Sequence, residues 1–177
     1  VVTSINSNLD NNYGADRLPS DQRYDRAHEF IEVCRKLWDS WDEDAVVMDQ
    51  AGAVFADPGK VHRINFEGEY FRSRGPLNVV RSPQNGPAIL QAGTSPKGRD
   101  FAAKYADGIF AIQPHPESAK KYYELVKEQV AQHGRNPDHC RILFGMQPFI
   151  GKSEAHALEV QQEHNDLVPV EGGMAIL

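Results

Sequence analysis

The chain has 177 residues, a formal net charge of -6 and 25% charged residues. That length suits one domain with a real core, and the acidic balance, with no basic stripe on any segment, argues against a general nucleic-acid binder. No apolar run approaches membrane-spanning length, no stretch reads as a signal peptide, and two scattered cysteines, Cys34 and Cys140, make no disulfide framework, so a cytoplasmic setting is expected.

Val1-Val2-Thr3-Ser4 reads as the end of a buried strand, and the chain closes on the apolar run Met174 to Leu177; both suggest a piece of a longer protein. Ile5 to Pro19, rich in Asn, Asp and Gly, reads as a loop. Ser20 or Asp21 then caps a long helix to about Trp41, with Ala27, Phe30, Ile31, Cys34, Leu37, Trp38 and Trp41 at helical spacing. Tyr24 falls in its first turn, either as a half-buried aromatic at a helix edge or as a hydroxyl near the strand end of Thr3 and Ser4. Residues 42–86 break the rhythm and read as an insertion, with a β-hairpin turning at Glu67-Gly68-Glu69. Segments of that length usually carry function or shape a pocket.

Regular alternation follows: strand 87–92, helix 96–106, strand 108–112, helix 117–133 stopped by Gly134, strand 140–150, and a helix capped by Ser153 running to about His164. Near-continuous apolar strands alternating with helices predict a parallel sheet covered by helices. A doubly wound sheet and a (β/α)8 barrel both fit. Without the insertion, roughly 130 residues hold about four strand–helix units, half of a typical barrel, so the fold class expected is α/β, the second half of a (β/α)8 barrel.

The most informative stretch is Gln91-Ala92-Gly93-Thr94-Ser95-Pro96-Lys97-Gly98-Arg99. Gly93 permits a tight turn or close ligand approach. Ser95 is a good N-cap and Pro96 a favoured first helical residue. A helix starting here offers backbone N–H groups and a partial positive charge to an anion such as phosphate; the plainer alternative is a capped helix with no ligand. Ligands of parallel α/β folds sit at the C-terminal ends of the strands, where Thr3-Ser4 and Gly93-Thr94-Ser95 both fall and which Tyr24 can reach. The histidines show no metal-ligand spacing, no Walker loop or nucleophile elbow is present, and no acid–base dyad stands out.

Several motifs in order carry a family resemblance: Val-Val-Thr-Ser at 1–4, Arg23-Tyr24-Asp25-Arg26-Ala27, Leu37-Trp38-Asp39-Ser40-Trp41, Asp57-Pro58-Gly59-Lys60-Val61-His62, Gly75-Pro76-Leu77-Asn78, and Gln91-Ala92-Gly93-Thr94-Ser95 with Gly98-Arg99. The chain resembles the bacterial-luciferase-like flavin monooxygenases, in the branch of nitrilotriacetate monooxygenase component A, dibenzothiophene-sulfone monooxygenase and long-chain alkane monooxygenase. The resemblance implies a two-component enzyme that takes reduced FMN from an NAD(P)H-dependent flavin reductase and uses O2 to oxygenate a small organic substrate. A homo-oligomer is expected, with no nucleic-acid or membrane partner. By similarity, Tyr24 and Ser95 bind the FMN phosphate with the backbone of Gly93 and Thr94, and Ser4, with Thr3 beside it, lines the flavin. The catalytic residues themselves are not identified in this stretch, and Ile5 stands where some relatives have a His. Two other readings stay open: an F420-dependent oxidoreductase of the same superfamily, and a cofactor-free partial barrel serving as an interaction module.

Overall fold

The computed structural model describes residues 3, 18–93 and 95–169. The chain divides into two compact units, residues 1–144 and 145–177.

The first unit opens with helix α1, Ser20–Trp38. Tyr24, Ala27 and Ile31, spaced three and four apart, are buried in the core it shares with Phe101, Ala102 and Tyr105. The expected cap at Ser20 or Asp21 is not the one used: Pro19 is the N-cap and no side chain caps. Pro19 is already extended, with ψ 152°, and its carbonyl takes the first helical bond from Arg23 at 3.0 Å, so Ser20 lies one residue too far in. Phe30, expected in the core, is 43% exposed and instead meets the Phe71 ring at 5.8 Å. Cys34 is half-buried rather than sealed in.

The helix stops at Trp38, three residues short of expectation. Ser40 ends it: its hydroxyl donates to the Leu37 carbonyl at 2.6 Å and accepts from the Leu77 N–H at 2.9 Å. A side chain competing for backbone partners in this way turns the chain off the helix axis.

The insertion holds two hairpins. The sequence-predicted one is present, with β3 (Phe66–Glu67) antiparallel to β4 (Arg72–Ser73). Ahead of it, β1 (Val46–Asp49) pairs with β2 (Val54–Ala56) in an irregular register. Met48 and Ala53 adopt left-handed φ values of 52° and 53°, which no simple apolar alternation announces.

Both ends of this excursion are tied to one place. The Ser40 carbonyl accepts from His62 N at 2.7 Å, Trp41 Nε1 donates to the Leu77 carbonyl at 2.8 Å, and Arg81 Nη1 donates to the Trp41 carbonyl at 3.1 Å. Further out, the Glu29 carboxylate of α1 accepts from three successive backbone N–H groups, Glu69, Tyr70 and Phe71, at 3.0, 2.9 and 2.6 Å. A Cβ at Gly68 would overlap that carboxylate.

The insertion returns to a three-stranded sheet in the order β5 (Leu90–Ala92), β6 (Gly108–Ile112), β7 (Arg141–Gly145). β5 and β6 are parallel, with Gln91 opposite Ile109. They are joined by α2 (Pro96–Tyr105), and β6 leads to β7 through α3 (Pro116–Gln132). Gly134, at φ 71°, follows α3 where a stop was expected. β5 and β7 are shorter than the predicted strands 87–92 and 140–150; Pro87 has no N–H to give a ladder. The strands are apolar on both faces. Ile89, Ile109 and Ala111 are sealed under the helices, whereas Leu90, Phe110, Ile112 and Leu143 are 46–69% exposed on the opposite face. In the second unit, α4 (Glu154–Asp166) starts at the expected Ser153 cap, whose hydroxyl accepts from His156 N at 3.3 Å.

Candidate functional site

The site forms where β5 hands over to α2. Ser95 is extended and N-caps the helix, its Oγ accepting from Gly98 N at 3.1 Å, with Pro96 next. Its lone pair serves the cap while its O–H can still donate outward. The positive end of α2 faces the same way.

Tyr24 comes to this turn from α1. It is 8% exposed, its ring packed at 6.0 Å from that of Phe101. Its hydroxyl lies over Gly98, where a Cβ would sit 2.5 Å from Tyr24 Oη and 3.0 Å from Ser95 Oγ. It also lies beside Gly93, whose added Cβ would fall 3.4 Å from the same oxygen. The missing side chains at these two glycines therefore let hydroxyls from two separate elements approach one turn. Of the sequence-predicted site residues, the structure brings Tyr24, Gly93 and Ser95 together; Ser4 and Thr94 lie outside the described residues.

Two residues here were not singled out by their sequence. Tyr122, on α3, is 6% exposed and donates its hydroxyl to the Gly93 carbonyl at 3.3 Å. Burial pushes its pKa up, an effect that the Arg99 charge opposes and Cys140 adds to. At neutral pH it stays a hydrogen-bond donor that braces the turn. Gln91, on the helix-facing side of β5, is 2% exposed and its Oε1 has no hydrogen-bond partner among the described residues. Its Nε2 would be 2.9 Å from a Cβ at Gly93. A polar residue at an inward strand position flanked by apolar neighbours was the available signal.

These features fit an anionic ligand tail. The donors are hydroxyls and backbone N–H groups, the close approach is made by glycines, and the location is the C-terminal end of a parallel strand. The class so defined is a parallel α/β protein with a hydroxyl-lined, glycine-rich turn where a strand hands over to its helix.

The chain belongs to the luciferase-like monooxygenase family, which residues 1–171 match. It is 48% identical over 178 residues to the dibenzothiophene-sulfone monooxygenase of Rhodococcus erythropolis, covering 100% of this chain and 39% of the relative. It is 38% identical over 178 residues to nitrilotriacetate monooxygenase component A of Aminobacter aminovorans, again covering 100% of this chain and 39% of the relative. The crystal structure of a long-chain alkane monooxygenase superposes with a TM-score of 0.82 at 39% identity, covering 94% of this chain and 39% of that one. The chain thus spans 39% of the length of these curated relatives, and its strands and helices are part of a (β/α)8 barrel. Among the described residues, no helix is long and apolar enough to cross a membrane.

Proposed function

We propose that the complete protein is the oxygenase component of a two-component, flavin-dependent monooxygenase. It takes reduced FMN from an NAD(P)H-dependent flavin reductase in the cytoplasm and, as a homo-oligomer, inserts one atom of O2 into a small organic substrate of polyaminocarboxylate, sulfone or alkane type. The other oxygen atom leaves as water. Residues 1–177 contribute to one barrel domain, with 42–86 inserted in it. The observation that carries the reading is the meeting of Tyr24 Oη and Ser95 Oγ over Gly98, together with relatives named as monooxygenases.

In this reading Tyr24 and Ser95 donate to the FMN phosphate, Gly93 and Thr94 bring backbone close to it, and Ser4 lines the flavin. Bound reduced flavin supplies the electrons that activate O2. The residues of this chain anchor the tail at a fixed distance from the reacting end and keep bulk water from the cradle.

FMN titration of the complete protein tests this. Ser95→Ala and Tyr24→Phe should each weaken FMN by ~1–2 kcal/mol, the scale of a hydrogen bond to a charged group. Unchanged affinity in both variants removes the assignment.

A further inference from the structure

We infer that Gln91 is a further binding residue of this cradle, its side-chain amide donating to the phosphate held by Tyr24 and Ser95. The inference rests on the flavin-phosphate reading above and extends it to a residue with no assigned role.

Gln91 sits between the buried Ile89 and the Gly93 turn, on the strand face that packs under the helices. Ile109 and Ala111 hold the inward positions of the neighbouring strand. An apolar residue would satisfy that environment. A buried amide there costs stability unless its polar ends find partners, yet among the described residues its acceptor end, Oε1, has none, which leaves the donor end, Nε2, as the one that could serve a phosphate. The core around Gln91 therefore does not account for the amide.

Its position does. A Cβ placed on Gly93 would lie 2.9 Å from Gln91 Nε2 and 3.4 Å from Tyr24 Oη. The two donors thus converge on the same side of the Gly93 turn, an approach that a side chain at residue 93 would obstruct. Ser95 Oγ and the same Tyr24 hydroxyl both come close to Gly98. A phosphomonoester presents three acceptor oxygens, and Tyr24, Ser95 and Gln91 supply one neutral donor each from three places in the chain. A neutral amide suits a site beside a helix N-terminus, because it adds a donor without adding charge.

The test is titration of the complete protein with FMN and with riboflavin, which lacks the phosphate, in the wild type, Gln91→Met and Gln91→Glu. Methionine keeps the volume and removes the donor. It should weaken FMN about tenfold, as for loss of one hydrogen bond to a charged group, and leave riboflavin unchanged. Glutamate sets a carboxylate against the phosphate and should weaken FMN further, again sparing riboflavin. The inference is overturned if Gln91→Met keeps the wild-type ratio of FMN to riboflavin affinity, including the case where both fall together through general loosening. A wild type with no preference for FMN over riboflavin would instead bring down the phosphate reading of Tyr24 and Ser95, and Gln91 with it.

Discussion

Gly98 is the residue on which the cradle's geometry turns. Its backbone is helical, so conformational freedom is not the reason for a glycine; the absent side chain is. Alanine would press a methyl to within 2.5 Å of Tyr24 Oη, and Tyr24 is held by Phe101 and cannot swing clear at no cost. Overpacking of this kind costs about 1–3 kcal/mol. Gly98→Ala should therefore lower the thermal midpoint and weaken FMN together, and a variant with wild-type melting and binding would show that the hydroxyl is not fixed there. Part of this arrangement was legible beforehand: Ser95-Pro96 announced the helix start, and the expectation that Tyr24 can reach that turn agrees with its hydroxyl lying over Gly98. Gln91 and Tyr122 were not legible as site residues, because a buried amide and a buried phenol look like core until their neighbours are known.

The elements are coupled through Glu29. One carboxylate on α1 collects three backbone N–H groups of the β3–β4 turn, and Arg26 lies over the Phe71 ring at 5.5 Å. The helix that carries Tyr24 and the tip of the insertion are thereby one mechanical piece. Glu29→Ala strips acceptors from three donors at once. Hydrogen bonds to charged groups contribute about 1.5–3 kcal/mol each but do not add, so local opening should become easier by roughly 2 kcal/mol. Hydrogen exchange at Glu69, Tyr70 and Phe71 should accelerate while amides of α3 keep their protection; equal rates in both proteins would discount the latch. The β3–β4 hairpin could be read from its Glu-Gly-Glu turn, but its tether could not: Glu29 stands 40 residues from Glu69 and looks like any solvated charge on a helix face. The β1–β2 hairpin escaped because its irregular register hides the period-two pattern.

At the scale of the whole molecule, stability carries a pH dependence through His28. Its ring stands edge-on to Phe101 at 5.0 Å and lies 5.2 Å from that of Tyr105. Burial lowers its pKa and the Lys104 charge lowers it further, while Asp100, Asp25 and Glu32 oppose. The fold thus favours neutral imidazole. Its contribution is complete above the ordinary His value of about 6.5 and is lost as pH falls through the lower folded value, since the unfolded chain takes up the proton first. The urea midpoint should fall between pH 7.5 and 5, and fall less steeply in His28→Gln; parallel slopes would assign the dependence elsewhere. The alternation of strands and helices gave away a parallel α/β sheet at this scale, and the number of strand–helix units for the length pointed to half a barrel. The strand lengths it suggested were too generous, because apolar composition continues past the last ladder bond into segments such as Pro87 to Ile89.

The neck at Ser40, Trp41 and Leu77 bears on how such a protein diversifies. Residues 42–76 leave the framework and rejoin it at those three positions and His62, and are tied to α1 a second time through Glu29. Loop length itself adds little closure cost, about 0.6 kcal/mol per doubling. Any change of length or content in the excursion therefore has to keep two ties, the clasp and the Glu29 latch, for the helix bearing Tyr24 to hold its seat.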